Sequence, residues 1–157
     1  MAEGYEEIAY RESERMIATQ IQSFDELRSR TGLLLAATAV TGSFLGAAAL
    51  ERDHDLNGLG ILALLVFAIG IGACLYVLWP QRDAYKFVLS PNILLDSWTD
   101  GRYGDPVAMK RFIARKREEH YDQNKKKIDR LFTAFRVASV AIGVEVILWV
   151  LQLANGG

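Results

Sequence analysis

Thr31–Leu50 reads TGLLLAATAVTGSFLGAAAL, twenty consecutive residues without a charged side chain. Two further runs share this character: Leu56–Gln81 carries no charge, and Leu131–Gly157 carries only Arg136 and Glu145. About 20 apolar residues are needed to cross a hydrocarbon core of about 30 Å. The three runs therefore predict an all-α integral membrane protein with three transmembrane helices.

The alternative is a soluble bundle of buried helices. A helix of a soluble protein normally keeps a polar stripe, and the first two apolar runs have none. The first thirty residues hold seven acids and four arginines, whereas a secretory signal peptide starts basic and then turns apolar. We therefore expect the first span to remain as an uncleaved anchor.

The distribution of Lys and Arg around the spans predicts their orientation. Residues 82–130 hold twelve basic side chains, whereas the short acidic loop Glu51–Asp55 holds one. This contrast places the N-terminus and the long middle segment in the cytoplasm and the C-terminus outside. The expected location is the inner (plasma) membrane of a bacterial cell, in which the chain is a multi-pass protein.

Seven segments are predicted along the chain. No Pro or Gly interrupts residues 5–31 or 107–142, so the first and third spans can continue as long cytoplasmic helical extensions. Asp105 and Pro106 suit the N-cap and the first position of a helix. The segments are an acidic amphipathic cytoplasmic helix (1–30), a first span (31–50), an external loop (51–57), a second span (58–80), a cytoplasmic or interfacial loop (81–105), a basic cytoplasmic helix (106–130) and a third span (131–153).

The two cytoplasmic helices have complementary charge. The net charge is −3 for residues 1–30 and +5 for residues 106–130. Tyr10, Ile17 and Phe24 recur every seven residues and form an apolar stripe. The acidic character of that helix disfavours binding to anionic lipid, so we expect the stripe to pack on protein. Pairing with the basic helix, antiparallel or side by side, follows as a prediction, with the charges selecting the partner.

Small residues mark packing faces in the first two spans. Gly42 and Gly46 form a GxxxG step, with Thr38 one turn earlier. Small residues let helices approach closely inside a membrane, but the motif leaves open whether the partner lies in the same chain. Cys74, the only cysteine, is interpreted as a small packing residue of the second span.

Glu145 and Arg136 are the candidate pore or gating residues. A carboxylate in hydrocarbon is costly unless it is paired, protonated or facing water. Glu145 is therefore either a pore-lining, proton-coupled or gating residue, or a hydrogen-bonded tie between spans, with Thr38, Thr41 or Ser43 as partners. Arg136 lies close enough to the cytoplasmic end of the third span to extend back to the headgroups.

Basic side chains precede the third span. They are candidates for contact with anionic lipid or an anionic ligand: Lys125, Lys126, Lys127, Arg130, Arg115 and Arg117. His54 and His120 are isolated in the sequence and have no metal-binding spacing. No P-loop, GxSxG or HExxH motif is present, so neither an enzyme, a metal site nor a cofactor is expected, and no nucleic acid is expected as a partner.

The junction Leu27-Arg-Ser-Arg-Thr-Gly-Leu-Leu-Leu35 resembles that of small bacterial membrane effectors of nucleotide-signalled anti-phage systems, the Pycsar-effector-type and SLATT-like proteins. Pro80 closes the second span, and Asn124-Lys-Lys-Lys-Ile-Asp-Arg130 leads into the third, as in those families. The resemblance concerns the layout of nearly the whole chain. It implies an effector of antiviral defence that oligomerises and perturbs the membrane when a cyclic nucleotide or a sensor partner triggers it.

The leading functional hypothesis is a homo-oligomeric membrane protein that forms or gates a permeation path, with the third span and Glu145 nearest to it. One alternative is a non-catalytic scaffold that recruits a cytoplasmic protein through its helices. Another is a sensor that binds a cyclic nucleotide at Arg115–Arg130. The lipid bilayer and further copies of the chain are the partners expected first.

Overall fold

The computed structural model describes residues 4–53, 58–79, 85 and 105–155. Within these ranges three helices contain every residue except Gly4, Trp79, Tyr85 and Asp105. They are α1 (Tyr5–Asp53), α2 (Gly58–Leu78) and α3 (Pro106–Asn155). Each helix is long and apolar enough to cross a membrane, which confirms the prediction of three span-length helices. The predicted loop 81–105, apart from its residues 85 and 105, and residues 54–57 lie outside the described residues.

The helix ends follow the local signals in the sequence. α3 begins where Asp105 was expected to cap it: Asp105 Oδ1 accepts a hydrogen bond from the Val107 amide at 3.0 Å. α2 ends at Leu78, and its carbonyl oxygen accepts a hydrogen bond from Arg28 Nη2 at 2.9 Å. α1 continues to Asp53, so it is longer than the predicted span, which ended at residue 50.

The three helices contribute to two compact units. The charged unit contains residues 4–25, 85 and 105–129. The apolar unit contains residues 26–53, 58–79 and 130–155. α1 and α3 each supply one segment to both units, which agrees with the prediction that no helix break separates residues 30 and 31 or residues 130 and 131.

In the charged unit, α1 and α3 are parallel. Glu7 pairs with Lys110, and further along both helices Gln20 pairs with Asn124. Residue numbers therefore rise together, with partners 103 and 104 positions apart. Pairing of the acidic helix with the basic helix is confirmed, and of the two arrangements considered from sequence, antiparallel pairing is wrong.

Alternating steps of three and four residues define the seam between the two helices of the charged unit. On α1 the buried residues are Ser13, Ile17 and Gln20, and on α3 they are Asn124 and Ile128. This spacing is that of a coiled coil, in which every turn presents one residue to the partner helix. The apolar stripe predicted from the seven-residue repeat therefore packs on protein, and Ile17 is only 7% exposed.

A polar layer interrupts the apolar seam. Asn124 Nδ2 donates a hydrogen bond to Gln20 Oε1 at 3.3 Å, and Gln20 Nε2 donates one to the Tyr121 carbonyl at 3.1 Å. Buried amides are costly when unpaired, so only the alignment that places these two side chains together satisfies them. The layer therefore selects one register between two helices that could otherwise slide by a heptad.

Ion pairs hold the start of α1 against α3. Arg111 Nη2 lies 2.7 Å from Glu6 Oε1, and Lys110 Nζ bonds Glu7 Oε2. Hydrogen bonds from Arg111 and Lys110 lower the pKa values of Glu6 and Glu7, respectively, below the ordinary value of 4.5. All four side chains remain partly exposed to solvent, so the pairs are sensitive to salt as well as to pH.

In the apolar unit, α2 packs antiparallel against both other helices. Its Gly70 lies against Ala141 and Ile142 of α3, whereas Ala63, seven residues earlier, packs with Leu148 and Trp149. The outer surface of the unit is apolar, with Leu33, Phe44 and Ile147 between 59% and 74% exposed. Large apolar side chains on the outside and small ones at the helix contacts are the pattern of a lipid-facing bundle.

We predict that Gln20→Ala loosens the charged unit. The Asn124 amide loses its hydrogen bond to Gln20, at a cost of about 1–3 kcal/mol. Backbone amides of residues 10–24 should exchange with deuterium about tenfold faster or more, because local opening becomes easier. Gln22→Ala, at an exposed site two residues away, is the control. Equal exchange in the two variants would contradict a role for the polar layer.

Acid should weaken the pairing at the start of α1. Glu6 and Glu7 bind protons more weakly in the folded chain than in the unfolded chain. Their contribution to stability is therefore complete above pH 4.5 and is lost as the pH falls through the lowered pKa values. Hydrogen exchange of residues 5–12, measured from pH 6 down to pH 3 with correction for intrinsic rates, should show this loss. The double variant Glu6→Gln, Glu7→Gln should lack that pH dependence, and an unchanged profile would refute the assignment.

Candidate functional site

Glu145 lies inside the apolar unit. α3 directs it into the bundle, where the residue is 1% exposed. Its Oε1 accepts a hydrogen bond from the indole Nε1 of Trp149, one turn further along α3, at 3.3 Å. Among the described residues this is the only hydrogen bond of the carboxyl group, and none of them supplies a cation to it. A buried carboxyl with one neutral donor is therefore the most unusual feature of the unit.

Glycines of α1 make room for this cluster. A Cβ atom on Gly42 would lie 3.3 Å from Glu145 Oε1 and 3.1 Å from the Phe67 ring, both closer than ordinary van der Waals contact. A Cβ atom on Gly46 would lie 3.8 Å from Trp149 Cζ2, an ordinary distance. The GxxxG step therefore packs on helices of the same chain: Gly42 lies against α2 and α3, and Gly46 lies against α3. Gly42 is the position at which the absence of a side chain matters.

The hydroxyl partners expected for Glu145 are not its partners. Thr38, Thr41 and Ser43 each donate to the carbonyl oxygen four residues earlier in α1, at 2.7–2.9 Å. This is the usual choice of Ser and Thr in a helix, because that carbonyl lies within reach without any movement of the backbone. The tie from Glu145 therefore remains within α3, through Trp149, and that part of the sequence interpretation is corrected.

Four buried polar residues follow one another along the interior of the apolar unit. We call them the polar file: Thr31, Thr38, Glu145 and Gln152, each no more than 2% exposed. Gly42, one turn after Thr38, lies beside Glu145, so the members on α1 lead to those on α3. Gln152 Oε1 is buried and has no hydrogen-bond partner among the described residues. A buried polar atom without a partner costs about 1–3 kcal/mol, so Gln152 carries an energetic penalty. The hydroxyls of Thr31 and Thr38 are satisfied, because each donates to the carbonyl oxygen four residues earlier in α1 at 2.7 Å.

Gln152 and Trp149 are the site residues that sequence reasoning missed. Gln152 follows Glu145 by seven residues, and Trp149 lies between them at the intermediate step of four. The heptad spacing that placed Tyr10, Ile17 and Phe24 on one stripe could have identified them. Their apolar neighbourhood conceals the pattern, because the charges of Arg136 and Glu145 are the more conspicuous signal in the third span.

Arg136 does not join Glu145. The two residues are nine positions apart on α3, which at 3.6 residues per turn places them on opposite sides of the helix. Arg136 is accordingly exposed, whereas Glu145 is buried. Cys74 is fully buried in the apolar unit, as a packing residue would be.

The predicted anion-binding residues are not brought into one pocket within the part of the chain that the structure describes. Arg117 stacks over the Tyr10 ring at 4.6 Å, and Lys127 lies over the Tyr85 ring at 5.9 Å. Arg115 lines a groove in the charged unit. Lys125, Lys126 and Arg130 are exposed. The arginines and lysines thus divide into pairs with aromatic rings and separate surface charges.

Comparison with protein-family models, with curated proteins and with solved structures finds no match to this chain.

We predict different effects of alanine at the two glycines. Gly42→Ala should lower the melting temperature in detergent or lipid discs, because the new methyl group crowds Phe67 and the Glu145 carboxyl, at a cost of about 1–3 kcal/mol. Gly46→Ala has room and gains helix propensity of about 1 kcal/mol, so its melting temperature should be unchanged or higher. Equal melting temperatures would show that Gly42 does not limit the approach of the helices.

Proposed function

We propose that the chain is a non-enzymatic, self-associating protein of the bacterial inner membrane that opens a path for protons or small ions, with α3 and Glu145 nearest to that path. The polar file is the observation that carries the proposal. Three apolar helices would be more stable with apolar residues in place of Glu145 and Gln152, because these two side chains give up water and regain at most one hydrogen bond for the carboxyl group and none for the amide oxygen among the described residues. Retention of polar groups along the interior is explained if the file faces water in a second arrangement of the helices.

Glu145 is the member of the file best suited to gating. In the arrangement described here the carboxyl group is held by the Trp149 indole and packed near Phe67, so the interior is closed. One hydrogen bond of 3.3 Å is a weak restraint on an ionisable group. Separation of α1 from α3 at Gly42 would expose the carboxyl group to water, with which it could then exchange a proton.

The layout described from sequence supports an effector role. The expected topology, with a cytoplasmic N-terminus and an external C-terminus, would expose the charged unit to the cytoplasm. There a cyclic nucleotide or a sensor protein could act on it, as the resemblance to anti-phage membrane effectors implies. In this proposal the charged unit receives the trigger and the apolar unit responds.

Flux through lipid vesicles tests the proposal. Purified wild-type protein in vesicles loaded with a pH-sensitive dye should dissipate an imposed potential by proton entry. Glu145→Gln should reduce the initial rate about tenfold or more, because glutamine keeps a hydrogen-bond acceptor for the Trp149 indole but cannot bind and release a proton. The fold should be retained, as judged by helical content and melting temperature.

Glu51→Gln is the matched control, since Glu51 is an exposed carboxyl near the end of α1. It should conduct like the wild type. Absence of wild-type flux at either polarity, with and without cyclic nucleotides, would overturn the proposal. Equal flux through the wild type and Glu145→Gln would remove Glu145 from the path.

A further inference from the structure

The charged unit has an open groove along one side of the α1–α3 pair, with a volume of about 460 Å³. Its lining includes the apolar residues Ala9, Met16 and Ala114. Its charged rims carry Glu6 and Glu12 on α1 and Arg111, Arg115 and Glu118 on α3. Tyr5, at the end of the groove, is 89% exposed. The groove thus combines an uncovered apolar lining with an acidic rim on α1 and a rim of net positive charge on α3, where two arginines outnumber one glutamate.

The residues of α1 that face the groove form a second stripe. Tyr5, Ala9, Glu12 and Met16 follow one another at steps of four, three and four, which is the spacing of the buried seam. α1 therefore has two adjacent faces of the same period, one of them covered by α3 and the other open. A helix with two such faces is suited to a bundle of more than two helices.

Tyr85, in the segment between α2 and α3, packs on the face of the α1–α3 pair that lies away from the groove. The Tyr85 ring lies 4.9 Å from the Phe24 ring, and Lys127 lies over it. Lys127 follows Glu118 of the groove by nine positions, which places the two residues on opposite sides of α3. Tyr85 therefore does not fill the groove.

A second copy of the chain offers complementary charge at the same level. Copies inserted into a membrane in the same direction have parallel helices. Within one copy, partners on α1 and α3 are 103 or 104 positions apart. A two-fold axis along the helices then brings Glu12 of one copy opposite Arg115 of the other, and symmetry repeats the pair.

Both side chains are available for such a pair. The side chain of Glu12 is 63% exposed, and its ion pair in the structure is with Arg15 at 4.0 Å on the same helix. Arg115 is exposed and forms no ion pair with any described residue.

We propose that this groove is a self-association surface, on which the charged units of two copies form a parallel four-helix bundle with Glu12 of each copy beside Arg115 of the other. The inference rests on the proposed function, which includes self-association, and it identifies the groove as the surface through which the copies associate. Closing the groove covers Tyr5, Ala9 and Met16, and the opposed rims set the alignment of the copies.

Charge reversal with two differently tagged chains tests the pairing. In Glu12→Arg alone, or in Arg115→Glu alone, both symmetry-related contacts become like-charged, and the homodimer in lipid discs should weaken about tenfold or more. Co-expression of the two variants restores opposite charge at both contacts. The mixed dimer should therefore form as well as the wild type, and both tags should be recovered together. A structural role within one chain would not be rescued by mixing, so failure of the mixed dimer overturns the proposal.

Cysteine cross-linking provides a matched pair of variants. In a Cys74→Ala background, Ala9→Cys places the thiol in the groove, and Ala18→Cys, nine positions later, places it on the opposite side of α1. A short bismaleimide in native membranes should link Ala9→Cys chains into dimers and leave Ala18→Cys chains monomeric. The reverse result, or a thiol at position 9 that is shielded but not cross-linked because another protein or segment covers it, would overturn the proposal.

The outcomes separate this inference from the proposed function. If the chains conduct and associate, but their association is unchanged in the Glu12 and Arg115 variants, the groove assignment is wrong and the proposed permeation path is unaffected. Chains that dimerise through the groove but carry no flux overturn the path and leave the surface standing. A wild-type chain that is monomeric in lipid discs at all concentrations overturns both.

Discussion

The parallel contact between α1 and α3 is the constraint on which the other features depend. In the charged unit Glu7 meets Lys110, and in the apolar unit Gly42 meets Glu145, with partners 103 positions apart in each case. Buried positions on both helices follow steps of three and four, the period at which two helices keep one face in contact. The size and polarity of a residue at such a position are constrained, because the side chain must fit the residue that it contacts on the other helix.

The two units meet this requirement with different chemistry. In the charged unit a polar layer is satisfied by side chains and backbone: Gln20 both accepts from Asn124 and donates to the Tyr121 carbonyl. In the apolar unit Glu145 has one neutral donor, and Gln152 Oε1 has no partner among the described residues. A satisfied layer specifies register, whereas poorly satisfied groups raise the energy of the state that buries them. The first arrangement favours one structure, and the second leaves a structure easier to open.

The surfaces differ in the same way. The outside of the apolar unit carries large apolar side chains that lipid can cover, and the small residues lie at the contacts between helices. In the charged unit one side of the helix pair carries Tyr85, and the other side is an open groove with charged rims. Water is a poor solvent for Tyr5 and Met16, so this side of the charged unit has more to gain from a protein partner than from solvent.

Hydropathy and helix signals in the sequence were sufficient to predict the three helices, the cap at Asp105 and the pairing of the acidic segment with the basic segment. They were sufficient because each depends on residues close together in the chain or on the sum of many charges. The parallel direction, the role of Gly42 as space for the Glu145 carboxyl, and the Trp149 hydrogen bond depended on which residues of α3 face which residues of α1. That register is decided by contacts more than 100 positions apart, where a shift of one turn changes every partner, so only the tertiary structure could determine it.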